Sequence, residues 1–332
     1  MGAVQAQDYG GAKWAVAQRM RLAAEGTIEK AFADGRLLRT HVMRPTWHFV
    51  APGDIRWMLR LTAPRVNAAM ASYYRKFELD QAVFTRSHKA LARALRGGRQ
   101  LTRDALRQAV QQAGIASEGL RFLFILARAE LDGVICSGAR EGRQFTYALV
   151  EERVPPARPL TRDEALAALT ARYFASHGPA TVQDFVWWSG LTAGDAKAGL
   201  DMAGSSLAHE SISGRTYWLS ASNPPVGRAP LAACLLPPYD EYLVAYKDRS
   251  AAVGSAASRR PAANAILGPT IVLDGRVVGT WKRTLGKRDV TIALNPFSRI
   301  PKAGRRAISE AARAYSAFLG ANAVLEWAPG AH

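Results

Sequence analysis

Residues 160–220 carry the clearest structural pattern in the chain and read LTRDEALAALTARYFASHGPATVQDFVWWSGLTAGDAKAGLDMAGSSLAHESISGRTYWLS. Thr161 begins a motif with capping-box spacing, and apolar residues then recur at helical intervals. Thr181 and Thr192 open two further helices in the same way. The stretch 211–219 predicts a strand pair around a glycine turn. Three short helices followed by a β-hairpin predict a winged helix, which is a helix-turn-helix with a hairpin wing.

The same pattern lies upstream, over residues 84–150. A helix from about Arg86, a helix opened by Thr102 and a helix opened by Ser117 precede two strands with a polar tip between them. Both copies contain Leu-Thr-Arg-Asp, but four residues can match by chance. The shared order of the elements is therefore the stronger argument for a tandem repeat.

A third, less regular unit follows the repeats. Asp274-Gly275 is a two-residue turn within a predicted hairpin over 271–281, and a strand over 289–294 and a helix over 302–319 come after it. At the other end of the chain, residues 1–80 predict helices and one short strand over 41–49.

These patterns predict an α+β protein built from tandem winged-helix units. The first predicted domain is a helical segment with a Gln-x-Gln motif, over residues 1–83. Two winged helices follow, over 84–156 and 157–225, and a winged-helix-like unit with a basic β-hairpin covers 226–332.

The charge of the chain points to a polyanionic partner. Its 332 residues include 44 Lys+Arg against 27 Asp+Glu, a formal net charge of +17. A basic footprint fits DNA, RNA or an acidic membrane surface, and tandem winged helices favour double-stranded DNA. Two alternatives stay open, because a GC-rich genome also yields Arg-rich proteins and some winged helices only bind other proteins.

Several classes of protein are excluded. Two cysteines cannot form a disulfide scaffold, no apolar run approaches the ~20 residues of a membrane span, and the N-terminus lacks the pattern of a signal peptide. There is no phosphate loop and no Gly-x-Ser-x-Gly elbow, and the six histidines lack metal-ligand spacing. His41 and His48, seven apart in the predicted strand, would face opposite sides of it. We expect a cytoplasmic, nucleoid-associated monomer with no metal, no nucleotide cofactor and no membrane partner.

Two polar segments are candidates for a catalytic site. Gln5-Ala-Gln7-Asp8 lies near the N-terminus, and Tyr239-Asp-Glu-Tyr242 lies in the third unit with Tyr246–Arg249. From composition alone the first is more simply a polar helix start, because glutamine is mostly a surface residue. The second is equally well explained as a set of structural hydrogen bonds and ion pairs.

A family resemblance changes that balance. Six segments occur in the right order: Val4–Asp8, Arg44–Val50, Asp54–Trp57, Leu236–Tyr242, Tyr246–Arg249 and Asp274–Gly279. Together they resemble the bacterial family of winged-helix DNA-binding proteins that includes the AlkZ-like DNA glycosylases. The resemblance implies a C-shaped protein of three winged helices that excises or unhooks alkylated purines. It also implies that Gln5 and Gln7 are catalytic, with Asp8 and His48 as accessory candidates.

Glutamine restricts the reaction that such a site can promote. Its amide has no useful pKa and is not a general base in the usual sense. An N7-alkylated purine, however, is already cationic and leaves as a neutral base, so the site need only hold water beside an oxocarbenium-like sugar. One well-placed dipole accelerates such a reaction by a factor of about 10²–10³. The nearest lysine, Lys13, is not in the motif, so we expect a monofunctional enzyme without strand cleavage.

DNA binding is assigned to a basic group around the third-unit hairpin, namely Arg276, Lys282, Arg283, Lys287 and Arg288. The leading hypothesis is thus a DNA glycosylase that binds double-stranded, damaged DNA. The alternative is a non-enzymatic winged-helix DNA-binding protein or transcriptional regulator. A weaker third is a protein-interaction scaffold, which would show little salt-sensitive DNA binding.

Overall fold

The protein contains two compact units. The computed structural model describes residues 1–20, 23–222, 232–257 and 268–328. Unit 1 comprises Met1–Ala3 and Lys30–Ala221, and unit 2 comprises Val4–Glu29 and Ser222–His332. Helices and strands occur in both, which confirms the α+β class. The predicted boundary between residues 225 and 226 lies outside the described residues.

The N-terminal region differs in one respect from its prediction. Its elements are β1 (Val4–Gln5), α1 (Tyr9–Ala17), α2 (Glu25–Ala33), β2 (Leu38–Val42), β3 (Arg44–Val50) and α3 (Pro52–Lys76). The single strand predicted over 41–49 is wrong, because the chain reverses at Met43 (φ 64°) and β2 and β3 pair antiparallel. His41 pairs with Trp47, so His48, one residue further along, still faces the opposite side.

The first repeat contains the predicted three helices and two hairpin strands. Its elements are α4 (Gln81–Leu95), β4 (Leu101–Thr102), α5 (Arg103–Gln112), α6 (Gly119–Leu131), β5 (Ile135–Ser137), β6 (Thr146–Leu149) and α7 (Val150–Arg153). Helix α4 begins earlier than predicted because the Asp80 carboxylate accepts the Val83 N–H at 2.7 Å and caps it. The predicted domain boundary after residue 83 therefore falls inside this helix.

The second repeat follows its prediction closely. Its elements are α8 (Arg162–His177), α9 (Val182–Ser189), α10 (Ala193–Ala203), β7 (Leu207–Ile212) and β8 (Arg215–Ser220). Each helix begins with a complete capping box, at Thr161, Thr181 and Thr192. Strands β7 and β8 pair antiparallel across a turn in which Ser213 and Gly214 have positive φ. The predicted order of three helices and a hairpin is confirmed.

The C-terminal region forms a larger sheet than predicted. Its elements are β9 (Ala233–Leu236), α11 (Glu241–Val244), α12 (Ser250–Ala257), β10 (Thr270–Leu273), β11 (Arg276–Leu285), β12 (Asp289–Pro296), α13 (Lys302–Leu319) and β13 (Asn322–Trp327). The predicted hairpin turns at Asp274 and Gly275, both with positive φ, and continues into a five-stranded sheet ordered β13-β12-β11-β10-β9. Strand β13, parallel to β12, was not predicted.

The core of unit 2 attaches α1 to this sheet. The Trp14 ring lies 5.1 Å from that of Tyr315 and 5.2 Å from that of Phe318, both on α13. Its indole N–H donates to the Leu235 carbonyl of β9 at 2.7 Å. A buried indole with a satisfied N–H combines a large apolar contact with a fixed orientation. The helix that follows the Gln-x-Gln motif is thereby held in a defined position.

Candidate active site

The main chain of Gln5 is anchored to a buried carboxylate. Its N–H donates to Glu241 Oε1 at 2.7 Å, across 236 residues of sequence. Both residues are buried, at 8% exposure for Gln5 and 1% for Glu241. A hydrogen bond to a carboxylate is shorter and stronger than a neutral one. Glu241 therefore fixes the position of the strand from which the Gln5 side chain projects.

Gln7 and Asp8 lie in the bend between β1 and α1. Gln7 is exposed, whereas Asp8 is half-buried and caps the helix by accepting the Gly11 N–H at 2.9 Å. A capping aspartate accepts a hydrogen bond from a helical N–H that has no partner within the helix. Its negative charge also interacts favourably with the positive, N-terminal end of the helix dipole. Asp8 thus has a structural role in setting where α1 begins, and its accessory catalytic role stays a prediction.

The Lys13 side chain pairs with two carboxylates. Its Nζ lies 2.6 Å from Glu25 Oε1 and 2.8 Å from Glu29 Oε2, and its side chain is buried. The Tyr9 hydroxyl also donates to Glu29, at 3.1 Å. Both carboxylates lie within hydrogen-bond distance of the amine and hold it away from the role of a free nucleophile. This geometry agrees with the expectation that Lys13 is not a Schiff-base nucleophile.

The segment 237–249 makes hydrogen bonds that connect it to the N-terminal region and to the third-unit hairpin. Arg19 makes two hydrogen bonds to the buried Asp240 carboxylate, at 2.7 and 3.0 Å. Burial lowers the pKa of Arg19, but the hydrogen bond and charge of Asp240 outweigh it and raise that pKa above its ordinary value. The Tyr242 hydroxyl donates to the Gly275 carbonyl at 2.7 Å. The structural interpretation of this acidic segment therefore holds, with Glu241 as its link to Gln5.

The five basic residues predicted to bind DNA fall into separate groups. Lys282, Lys287 and Arg288 are exposed toward the β11–β12 turn, whereas Arg276 is exposed at the opposite end of β11. Arg276 and Lys282 are six residue steps apart on the strand, which is about 20 Å at the usual rise of ~3.3 Å per residue. The structure brings three of the five to one end of the sheet.

Arg283 has a different environment from the other four. It projects from the same face of β11 as the buried Trp281, and its guanidinium donates to the Tyr315 hydroxyl. Burial raises the pKa of Tyr315, and the Arg283 charge opposes that change. A Cβ at Gly10 would lie 2.9 Å from Arg283 Nη2, so the guanidinium also packs against the start of α1. Its contribution to DNA binding stays a prediction.

His48 belongs to unit 1, on β3, and is fully buried. Its Nδ1 lies 3.0 Å from the Thr46 carbonyl, which explains the orientation of its ring. The contact between Glu241 and Gln5 was not predicted, although Glu241 lies in the second polar segment and in the ordered segment Leu236–Tyr242.

The described ranges contain no group of three or more His, Cys, Asp or Glu side chains arranged to hold a metal ion. None of the helices in those ranges has the length and hydropathy of a membrane span.

Comparison with known proteins identifies the family. The family model described as DNA glycosylase AlkZ-like matches residues 1–318. The chain belongs to this family. Its membership confirms the resemblance drawn from the ordered motifs, and with it the DNA glycosylase class and DNA as the partner.

Two individual similarities agree with that assignment. The chain is 28% identical to an interstrand DNA cross-link repair glycosylase of Streptomyces sahachiroi, over 94% of this chain and 88% of the relative. The solved structure of Streptomyces sahachiroi DNA glycosylase AlkZ superposes with a TM-score of 0.77 at 22% identity, over 98% of this chain and 91% of that one. The second similarity shows that the AlkZ fold is shared.

Proposed function

We propose that this AlkZ-like protein is a monofunctional DNA glycosylase that hydrolyses the N-glycosidic bond of N7-alkylated purines, including crosslinks formed by such purines. Gln5 and Gln7 are its catalytic side chains. The observation that carries the proposal is the Gln5–Glu241 hydrogen bond, which holds the family's Gln-x-Gln motif in place while Gln7 stays exposed. The relative named for interstrand crosslink repair supports the inclusion of crosslinks.

The chemistry follows from the leaving group. The C1′–N9 bond breaks, its electron pair neutralises the cationic purine, a water oxygen forms the new bond to C1′, and that water releases one proton to the solvent. An amide carbonyl accepts a hydrogen bond from that water, and an amide NH₂ donates to a phosphate or sugar oxygen. Preorganised dipoles act where charge develops, and each contributes about 3–4 kcal/mol. Two amides therefore suit a labile cationic lesion and not an undamaged base.

The absence of strand cleavage is the second part of the proposal. A lyase would require an amine that attacks C1′ and forms a Schiff base. Lys13, the lysine nearest to the motif, is engaged by the carboxylates of Glu25 and Glu29. We therefore expect an intact abasic strand as the product.

DNA is bound in part by the basic residues at the end of the sheet near the β11–β12 turn. Lys282, Lys287 and Arg288 are exposed there and contact backbone phosphates. Arg283 adds a contact at the same end of β11, and Arg276 adds one at the opposite end. The protein acts as a nucleoid-associated cytoplasmic monomer, without a metal or nucleotide cofactor.

The test is base release from a duplex with one 7-methylguanine. The wild-type protein should release 7-methylguanine, leave undamaged guanine in place, and yield a strand break only after alkali. Tight, sequence-preferring binding to undamaged duplex without base release would contradict the proposal. It would instead support a non-enzymatic DNA-binding protein or regulator.

A further inference from the structure

The third helix of the second repeat, α10, begins without the side chains that usually read DNA. In a helix-turn-helix, the first residues of this helix contact base edges, chiefly through arginine, lysine, asparagine or glutamine. In α10 these positions hold Ala193, Gly194 and Asp195. Asp195 forms the capping box with Thr192 and also binds the Arg162 guanidinium at 2.6 Å. The first turn of α10 therefore presents no long donor to a base edge.

The remainder of the exposed face of α10 does not favour a polyanion. Its exposed charged residues are Lys197 and Asp201, which lie four residues apart on one side of the helix. These two charges offset each other, whereas proteins bind the DNA backbone through an excess of lysine and arginine. If the second repeat contacts DNA, another of its elements makes the contact.

The wing of this repeat is exposed over its outer half. Every residue from Ala208 to Thr216 is exposed, on both strands and in the turn. Strands β7 and β8 form a two-stranded sheet of their own. The major groove of B-DNA, about 12 Å wide, admits a two-stranded ribbon of this kind. The wing therefore has the dimensions to enter a groove.

The base of the wing is firmly attached to the rest of the repeat. Trp218 on β8 exchanges two main-chain hydrogen bonds with Ala180, at 2.8 and 3.0 Å. Leu207, the first residue of β7, is buried. A Cβ at Gly178 would lie 2.8 Å from the Cα of Leu219, so the chain that precedes α9 packs directly against β8. A fixed base makes the tip a preorganised contact, which lowers the entropy cost of binding.

The tip of the wing combines an apolar side chain with a cation. Ile212 and Arg215 are paired across the two strands, and Ser213 and Gly214 form the turn between them. Ile212 is 55% exposed, and Arg215 is the one charged residue in the sequence 211–216. In a groove, an apolar side chain packs against thymine methyl groups and an arginine reaches phosphate oxygens. Both chemical features of a duplex thus have a counterpart at this tip.

The wing of the first repeat has a different tip. The Ala139 N–H donates to Gln100 Oε1 at 2.5 Å, and the Arg140 guanidinium donates to the Arg143 carbonyl at 3.0 Å. The same guanidinium lies 5.5 Å from the centre of the Phe145 ring. This tip is polar and is held against its own repeat. The exposed isoleucine is therefore a feature of the second wing and not of the repeated fold.

We propose that the second repeat contacts duplex DNA through its wing, with Ile212 and Arg215 at the contact, and not through α10. The proposal rests on DNA as the partner of this family and is independent of the excision chemistry. The backbone charge of DNA favours the basic wing tip over α10, whose exposed charges cancel. The isoleucine adds an apolar contact whose strength does not depend on salt.

The test measures the affinity of the full-length protein for an undamaged duplex at several salt concentrations. Ile212→Ser and Arg215→Gln alter the wing, and Met202→Ser and Lys197→Gln are the matched changes at exposed positions of α10. Ile212→Ser should weaken binding about tenfold and leave the slope of log affinity against log salt unchanged. Arg215→Gln should lower that slope by about 1. Both α10 variants should bind as the wild type does.

Two results would overturn the proposal. One is wild-type affinity in Ile212→Ser together with a wild-type salt slope in Arg215→Gln. The other is an equal loss of affinity in the α10 variants, which would place α10 on the DNA. Urea unfolding is the folding control, and substitutions at such exposed positions seldom alter stability. Failure of 7-methylguanine release would refute the proposed function and leave these binding results unaffected.

Discussion

Glu241 supports the Gln-x-Gln motif through a hydrogen bond to the main chain of Gln5. If Gln5 is catalytic as proposed, this contact makes Glu241 a positioning residue, because it binds the main chain of Gln5. The reaction rate falls steeply when the contacts that position a catalytic side chain are removed. The role of Glu241 can be separated from a purely structural one by a conservative replacement.

Glu241→Ala should lower both stability and activity. The Gln5 N–H would lose its buried acceptor, which costs about 1–3 kcal/mol in the free energy of unfolding. Excision should slow further than this instability explains, while substrate affinity changes little. Glu241→Gln keeps an acceptor oxygen and should restore most of the rate. Equal single-turnover rates for wild type and a folded Glu241→Ala would contradict this role.

His88 provides a pH-dependent contribution to stability. Burial lowers the pKa of His88 below its ordinary value near 6.5, Asp132 opposes this change and Arg128 adds to it. Below pH 6.5 the unfolded chain takes up a proton that the folded His88 resists, so the free energy of unfolding falls as the pH falls. Above that pH both states are neutral and the contribution is constant.

His88→Gln should therefore flatten the loss of stability between pH 7 and pH 5. Urea unfolding at several pH values measures it, with the exposed His209→Gln as the control. A His88→Gln protein with the full wild-type pH dependence would show that this residue is not responsible.

At the scale of elements, local signals explain which predictions succeeded. Helices α8, α9 and α10 begin at capping boxes whose partners lie three residues apart, and the helix predicted over 302–319 has those bounds. Caps and turns such as Asp274-Gly275 depend on neighbours in sequence, so the sequence alone predicts them. The reversal at Met43 was missed, because methionine seldom adopts positive φ and is not a turn signal.

The β2–β3 hairpin and α6 are joined by a buried pair of side chains that no local sequence pattern indicates. His41 Nδ1 on β2 contacts Glu130 Oε2 on α6, and the His41 N–H donates to the same oxygen at 3.3 Å. Both residues are buried. Removal of one member of such a pair leaves an uncompensated buried polar group.

Glu130→Ala should thus lower the free energy of unfolding by about 1–3 kcal/mol. Glu118→Ala, at the exposed N-cap of the same helix, should change stability by less than about 0.5 kcal/mol. Denaturant unfolding measures both. A loss below about 1 kcal/mol in Glu130→Ala would contradict the importance of this pair.

At the scale of the whole molecule, the grouping of Val4–Glu29 with the C-terminal region was not predicted. It depends on the contacts Gln5–Glu241, Trp14–Leu235 and Arg19–Asp240, whose partners are more than 200 residues apart. Such contacts leave no periodic signal in one sequence. The motifs were recognisable as an ordered set, but the packing that makes them one structure was not.

The net charge of +17 has a measurable consequence. With about 6–10 phosphate contacts, duplex affinity should fall about 10³–10⁵-fold between 50 and 200 mM salt. Lys282→Gln, Lys287→Gln and Arg288→Gln should each lower the salt slope by about 1. Fluorescence anisotropy with a labelled duplex measures this. An affinity that does not change with salt would indicate a protein-interaction scaffold.

The single-turnover rate of 7-methylguanine release by Gln5→Ala and Gln7→Ala tests the catalytic role of the two amides directly. Each substitution should slow release by about 10²–10³, and Gln111→Ala, an exposed glutamine on α5, should not. Wild-type rates in a folded Gln5→Ala/Gln7→Ala double variant would show that the two amides do not carry the catalysis.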